Sequence, residues 1–111
     1  MRAITAQRLW TFCALPNQSK ARTPLESWLK MIKGSAWANP GDVKSTFGKR
    51  VDFVQTRGTG QTVAVFDVGG NKYRIIAAIH YLSKHYEKGR VYILQVMTHA
   101  EYDEDKWKDD F

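Results

Sequence analysis

Cysteine is nearly absent from this chain. Cys13 is the only one among 111 residues, so no intramolecular disulfide can form and the fold must hold by packing alone. Set among Leu9, Trp10, Phe12 and Leu15, it reads as a packed small hydrophobe rather than a nucleophile. Long apolar runs are missing as well. The longest, IIAAI at 75–79, suits a buried strand and falls far short of a membrane span. Arg2 and Arg8 precede LWTFCAL, yet no small-residue cleavage site follows, so residues 1–21 predict a first amphipathic helix instead of a secretion signal. These absences predict a soluble, cytoplasmic protein with no membrane partner.

Acidic side chains are scarce outside the last eleven residues. Residues 1–100 hold 15 basic and 5 acidic side chains, whereas 101–111 hold 2 and 6. A body this basic favours a polyanion partner, although many basic domains never touch nucleic acid and charge alone does not decide the matter. What the chain does have is apolar bulk: it is 43% hydrophobic, with four Trp, five Tyr and five Phe. That bulk is enough for one core, and the length predicts a single domain over 1–111.

Periodicity divides the chain in two. RAIT predicts a brief strand and AQRLWTFCAL a helix that ends near Pro16. In the second helix Leu25, Trp28, Leu29 and Ile32 recur at helical spacing, Thr23 and Glu26 suggest a capping box, and Gly34 is a stop. NPGD at 39–42 is turn chemistry, and a further helical turn over VKSTFGKR would deliver Lys44, Lys49 and Arg50 as mobile cations. From residue 51 the period becomes two, through VDFV, TVAVFDV, KYRIIAAIHY and RVYILQVM, with GGN as a hairpin turn. The expected fold is α/β of the α+β kind: two N-terminal helices on a small antiparallel sheet of three main strands, then a short C-terminal helix. Alternation places Tyr73, Ile75, Ala77, Ile79 and Tyr81 on the helix-covered face, and Lys72, Arg74, Ile76, Ala78 and His80 on the other. Thr98 and Glu101 predict a capping box that puts His99 first and Tyr102 fourth in the last helix, with Lys106 on the same side and a KWKDDF tail that is frayed or partner-bound.

Cutting an RNA phosphodiester with its own 2′-hydroxyl needs a base, an acid and cations, and no cofactor. An imidazole can act as acid or base around neutral pH, which makes His99 a candidate, and a helix start would leave backbone N–H groups for phosphate; the same position also suits a capping histidine. Arg74 offers a planar fork to phosphate, or equally an ion pair with Asp67 across the GGN turn. Tyr102 can stack on a base, or pack on Met97 as a hydrophobic staple. Lys49, Arg50, Lys72 and Lys106 form a field for the RNA backbone rather than a motif. No carboxylate cage or zinc spacing is present, so no metal is expected and His80 and His85 read as core and loop histidines.

The stretches RAIT, PLESWLK, WANPGDVKSTF, VDFV, VFDVGGNKYRIIAAI and VYILQVMTHAEYD make residues 2 to about 105 resemble the HigB toxins, a branch of the RelE-like mRNA interferases. The resemblance implies two helices on one face of an antiparallel sheet and a concave basic RNA site on the other. It implies a toxin that cuts mRNA on translating ribosomes and is neutralised by a HigA-like helix-turn-helix antitoxin. Carried onto this chain, the catalytic residues are Arg74, His99 and Tyr102, with Asn71 and Lys72 as nearby RNA contacts. Related scaffolds also include non-catalytic toxins that bind a protein such as DNA gyrase, and a plain RNA-binding module is a third reading.

Overall fold

The computed structural model describes residues 1–85 and 87–111. Five strands form one sheet in the order β1-β5-β4-β3-β2. The three long ones are β3 (Thr62–Val68), β4 (Tyr73–His80) and β5 (Arg90–Thr98), antiparallel to one another as the alternation predicts. Short strands flank them: β2 (Val51–Gln55) runs antiparallel to β3, and β1 (Arg2–Ile4) runs parallel to β5. Between β1 and β2 lie α1 (Gln7–Cys13), a 3-10 turn at Ser19–Ala21, α2 (Arg22–Lys33), α3 (Pro40–Phe47) and a 3-10 turn at Gly48–Arg50.

The apolar spacing of α1 and α2 decides which sheet face they cover. Leu9 and Phe12 from α1, and Leu25, Trp28 and Ile32 from α2, are buried against Phe66, Val68, Tyr73, Ile75 and Ala77. Phe66 sits at the centre, with Trp28 at 5.3 Å and Phe47 at 4.9 Å between ring centroids, both edge-on. Each such side chain stabilises the fold by about 1.5–3 kcal/mol through loss of water contact. Cys13 packs at the edge of this core and burial pushes its thiol up, in keeping with a hydrophobe's role.

Two details at the helices differ from the sequence expectation. Thr23 and Glu26 form no capping box: the Ser19–Ala21 turn runs straight into α2, so the helix starts at Arg22, two residues early, without a side-chain cap, and Glu26 pairs with Arg22 at 2.9 Å. Lys44 is also not a mobile cation. It lies within α3, and its Nζ donates to the Val51 carbonyl at 2.6 Å.

A bulge in β5 sets up the far face. Ile76 pairs with Gln95 but Ala77 with Ile93, leaving Leu94 as an extra residue. That insertion reverses the alternation, so Ile93 faces the helices while Leu94 and Met97 face away. The strand's end is thereby turned toward the side that carries Arg74. This second face is not open. Val63, Val65, Ile76 and Met97 are buried under Trp107, which is only 3% exposed.

The expectation of a frayed tail therefore fails. A 3-10 turn over Lys106–Asp109 drops Trp107 onto the sheet, the backbone N–H groups of Arg57 and Gly58 donate to the Lys108 carbonyl, and the Arg57 side chain clamps Asp109 at 2.7 Å and Asp105 at 2.9 Å. The charged residues around it hid one large aromatic whose burial outweighs the polarity of its neighbours. Among the described residues no helix is long and apolar enough to cross a membrane.

Candidate active site

Three pieces of local structure converge at one end of the sheet. The first is the β3–β4 turn, where Gly69, Gly70 and Asn71 all take positive φ (64°, 62° and 76°). Glycine tolerates this region, and asparagine does so better than most side chains. The second is the cross-strand pair Asp67 and Arg74 that the turn aligns. The third is α4 (His99–Asp103), whose capping box is present as predicted: Thr98 Oγ1 accepts from the Glu101 N–H at 3.2 Å and Glu101 Oε1 accepts from the Thr98 N–H at 3.2 Å. The His99 N–H donates to the Lys72 carbonyl at 2.9 Å, which ties α4 to the turn.

Arg74 is the hub. Its side chain is 7% exposed, and every donor of the guanidinium has an acceptor. Nε meets Asp67 Oδ1 at 2.8 Å; Nη1 reaches the carbonyls of Asn71 (3.1 Å) and Tyr73 (3.2 Å); Nη2 reaches Asn71 Oδ1 (2.6 Å) and His99 Nδ1 (2.8 Å). The ion pair with Asp67, weighed above as a rival to a functional role, is present together with the contact to His99. The fork is thus not displayed to solvent as the sequence suggested; it is held in a closed polar network.

The contact with His99 settles the imidazole's tautomer. A guanidinium can only donate, so Nδ1 accepts and the ring proton sits on Nε2. Nε2 in turn lies 3.0 Å from Asp103 Oδ2, one helical turn further on. Asp103 was not among the expected residues, although its i+4 spacing from His99 in HAEYD was available as a signal. Both it and His99 are about half exposed, at 59% and 46% of the side chain, so this end of the network meets solvent while the Arg74 end does not.

Tyr102 is half-buried. It stacks on Trp107 at 5.3 Å with 21° between planes, lies 5.3 Å from the Arg74 guanidinium, and packs on the cluster containing Met97, as the staple reading expects. Burial pushes its phenol up, opposed by Lys108 and Arg74. The hydroxyl therefore stays protonated at neutral pH and can give a hydrogen bond but not take up a proton.

The remaining expected residues divide into groups. Asn71 and exposed Lys72 belong to the turn beside Arg74. Lys49 and Arg50 are exposed on the Gly48–Arg50 turn, with the Arg50 guanidinium 5.5 Å from the Phe47 ring. Lys106 does not share a helical side with His99 and Tyr102: α4 stops at Asp103, and Asp105 at φ 66° turns the chain before Lys106 begins the next turn. Nor does the start of α4 hold spare N–H groups at His99 and Glu101, since both are spent on Lys72 and Thr98. His80 and His85 are both exposed, so His80 is a strand-end histidine beside Tyr92 (4.9 Å) rather than a core one. Among the described residues no three His, Cys, Asp or Glu side chains form a metal-holding group.

A basic α+β domain with a buried arginine presenting a half-exposed histidine at the sheet's end defines the class: a small scaffold with a polar, basic site at one edge. Residues 21–105 match the HigB toxin family, described as the RelE-like toxic component of a toxin–antitoxin system. The mRNA interferase HigB of Escherichia coli O6:H1 (strain CFT073) is 32% identical over 88 residues, covering 79% of this chain and 74% of that protein. The chain belongs to the HigB toxin family.

Proposed function

We propose that this single-domain toxin is an mRNA interferase, a metal-independent endoribonuclease that cuts messages on translating ribosomes and is held in check by a HigA-like helix-turn-helix antitoxin. One observation carries the reading: the 2.8 Å contact between buried Arg74 and half-exposed His99, on a chain whose first hundred residues are strongly basic. Membership in a family that includes a relative named mRNA interferase supports it.

The chemistry follows from exchanging one hydrogen bond. A phosphate oxygen that accepts from Arg74 Nη2 draws that donor away from His99 and frees the Nδ1 lone pair. Nδ1 then takes the proton of the attacking 2′-hydroxyl, Asp103 on Nε2–H stabilises the imidazolium that forms, and the imidazolium returns that proton to the 5′-oxygen as its bond to phosphorus breaks, leaving a 2′,3′-cyclic phosphate. Arg74 balances the charge building on phosphorus oxygens from a site with little water, where it is worth most. Tyr102, kept protonated, donates to the RNA and orients it. Lys49, Arg50, Lys72 and Lys106 attract the backbone.

A gel of transcripts incubated with the toxin, with and without translating ribosomes, tests this against its rivals. Cutting by the wild type and none by His99→Ala supports the nuclease. Whole transcripts with persistent growth arrest point to a protein target such as DNA gyrase, and salt-sensitive binding of uncut RNA to a binding module.

A further inference from the structure

A second concavity adjoins the site and shares its walls. It is a groove of about 440 Å³ between α2, the Gly48–Arg50 turn and the Gly69–Asn71 turn. Trp28 and Phe47 contribute to its floor, Lys49 and Arg50 to its rim, and Asp67 and Asn71 to the wall that backs onto Arg74. The geometry points to a nucleotide-binding subsite here, taking the RNA nucleotide next to the one whose phosphodiester meets His99.

Charge identifies the occupant as an anion. Among the described residues Lys49 and Arg50 have no acidic partner, while Asp67, the one acid in the lining, is neutralised by Arg74. The volume falls in the range of small-molecule sites, about 300–1,000 Å³, and an apolar, aromatic floor under a few polar groups suits a base with its phosphate at the cationic rim. The backbone leaves room for it: a Cβ added at Gly70 would meet nothing within 4 Å. Trp28 lines the groove and its indole N–H is buried without an acceptor, so a ligand there would change its surroundings. Position ties the groove to the chemistry. Asn71 Oδ1 and His99 Nδ1 accept from the same Arg74 nitrogen, so one guanidinium separates the groove from the imidazole. The groove thus holds a neighbouring residue of the same strand and gives the toxin a preference for what stands there. The inference rests on the RNA-directed reading above.

The test uses the full chain carrying His99→Ala, labelled with 5-fluorotryptophan, and titrated with a 2′-O-methylated hexanucleotide. Fluorine NMR follows Trp28, assigned through Trp28→Phe. The Trp28 resonance should shift saturably. Ser27→Tyr, an exposed α2 position at the groove, should abolish that shift and weaken binding about tenfold, the equivalent of one charge-assisted hydrogen bond. The other three tryptophans report that the variant is folded. RNA that binds without moving Trp28, or with unchanged affinity in Ser27→Tyr, overturns the subsite and leaves nuclease activity standing. A Trp28 response to the antitoxin and not to RNA also overturns it, and makes the groove a protein-docking site. A Trp28 response to RNA in a toxin whose wild type cuts no transcript keeps the subsite and sinks the nuclease.

Discussion

Arg74→Lys keeps the charge and removes the fork, which separates what the guanidinium does by shape from what it does by sign. An ammonium offers three donors from one point where the guanidinium serves five acceptors. Asn71 is exposed and its oxygens can turn to water; the Tyr73 carbonyl belongs to a buried residue and cannot. One or two acceptors left without partners cost about 1–3 kcal/mol each, so a loss of roughly 2–4 kcal/mol is expected. Against a total near 5–15 kcal/mol the fold survives, with a melting temperature lower by roughly 10 °C. Circular dichroism during heating measures that shift. Cutting should fall much further, by about 10²–10³-fold at a temperature where the variant is folded, because the imidazole loses the donor that sets its tautomer. Nitrogen-15 shifts of the His99 ring read this directly: Nδ1 is the unprotonated nitrogen in the wild type and becomes mixed in the variant. A stable, folded Arg74→Lys chain that cuts RNA at the wild-type rate with an unchanged imidazole signature would refute the reasoning.

Asp103→Asn removes the carboxylate facing His99 Nε2, and because the pair is exposed it should leave stability unchanged within about 1 kcal/mol while slowing cutting about 10²-fold; unfolding curves and single-turnover rates compare the two. Trp107→Ala opens the smaller core and should cost about 3–5 kcal/mol, read as a lower urea midpoint, with loss of the Tyr102 stack. Arg57 hydrogen bonds hold the Asp105 and Asp109 carboxyls below their usual value of 3.8, with Lys108 the larger influence on Asp105. A depressed folded value means stability present above the ordinary carboxylate range and lost as pH falls through the lowered one. Melting temperatures of the wild type should therefore drop more steeply below about pH 4 than those of Arg57→Ala, and equal slopes would count against the clamp.

Sequence periodicity was sufficient for the long strands, for the two faces of β4 and for the α4 capping box, because each depends on neighbours two to four residues apart. What it missed depends on distant contacts. The parallel pairing of β1 with β5 joins residues near opposite ends of the chain. The bulge at Leu94 leaves an apolar run that reads like any other strand, yet it turns Met97 and the helix after it to the Arg74 side. Trp107 stands in a charged tail whose composition suggests solvent, and contacts with Arg57 and Gly58, about fifty residues earlier, hold that tail down. At the site, Arg74, His99 and Tyr102 were legible as chemistry, but a string of letters does not show whether a guanidinium points into solvent or into five acceptors. Asp103 was legible in principle at i+4 from His99 and was passed over as one of many acids on an exposed end.

On the proposed mechanism the structural and functional readings of Arg74 are not rivals, because the same bonds would serve both. A buried cation is tolerated only when its desolvation is offset by close acceptors, and Asp67, the GGN turn and His99 provide them. Removing any acceptor therefore frees a donor that has nowhere in the protein to go. Phosphate, arriving with oxygens that compete for Nη2, meets a donor already oriented and stripped of water, which lowers the reorganisation needed in the transition state. The cost is a site whose imidazole is engaged on both nitrogens until RNA arrives. On the proposed mechanism that arrangement would make cutting depend on the phosphate itself to release the base, so a small nucleophile presented without an adjoining phosphate should not be activated.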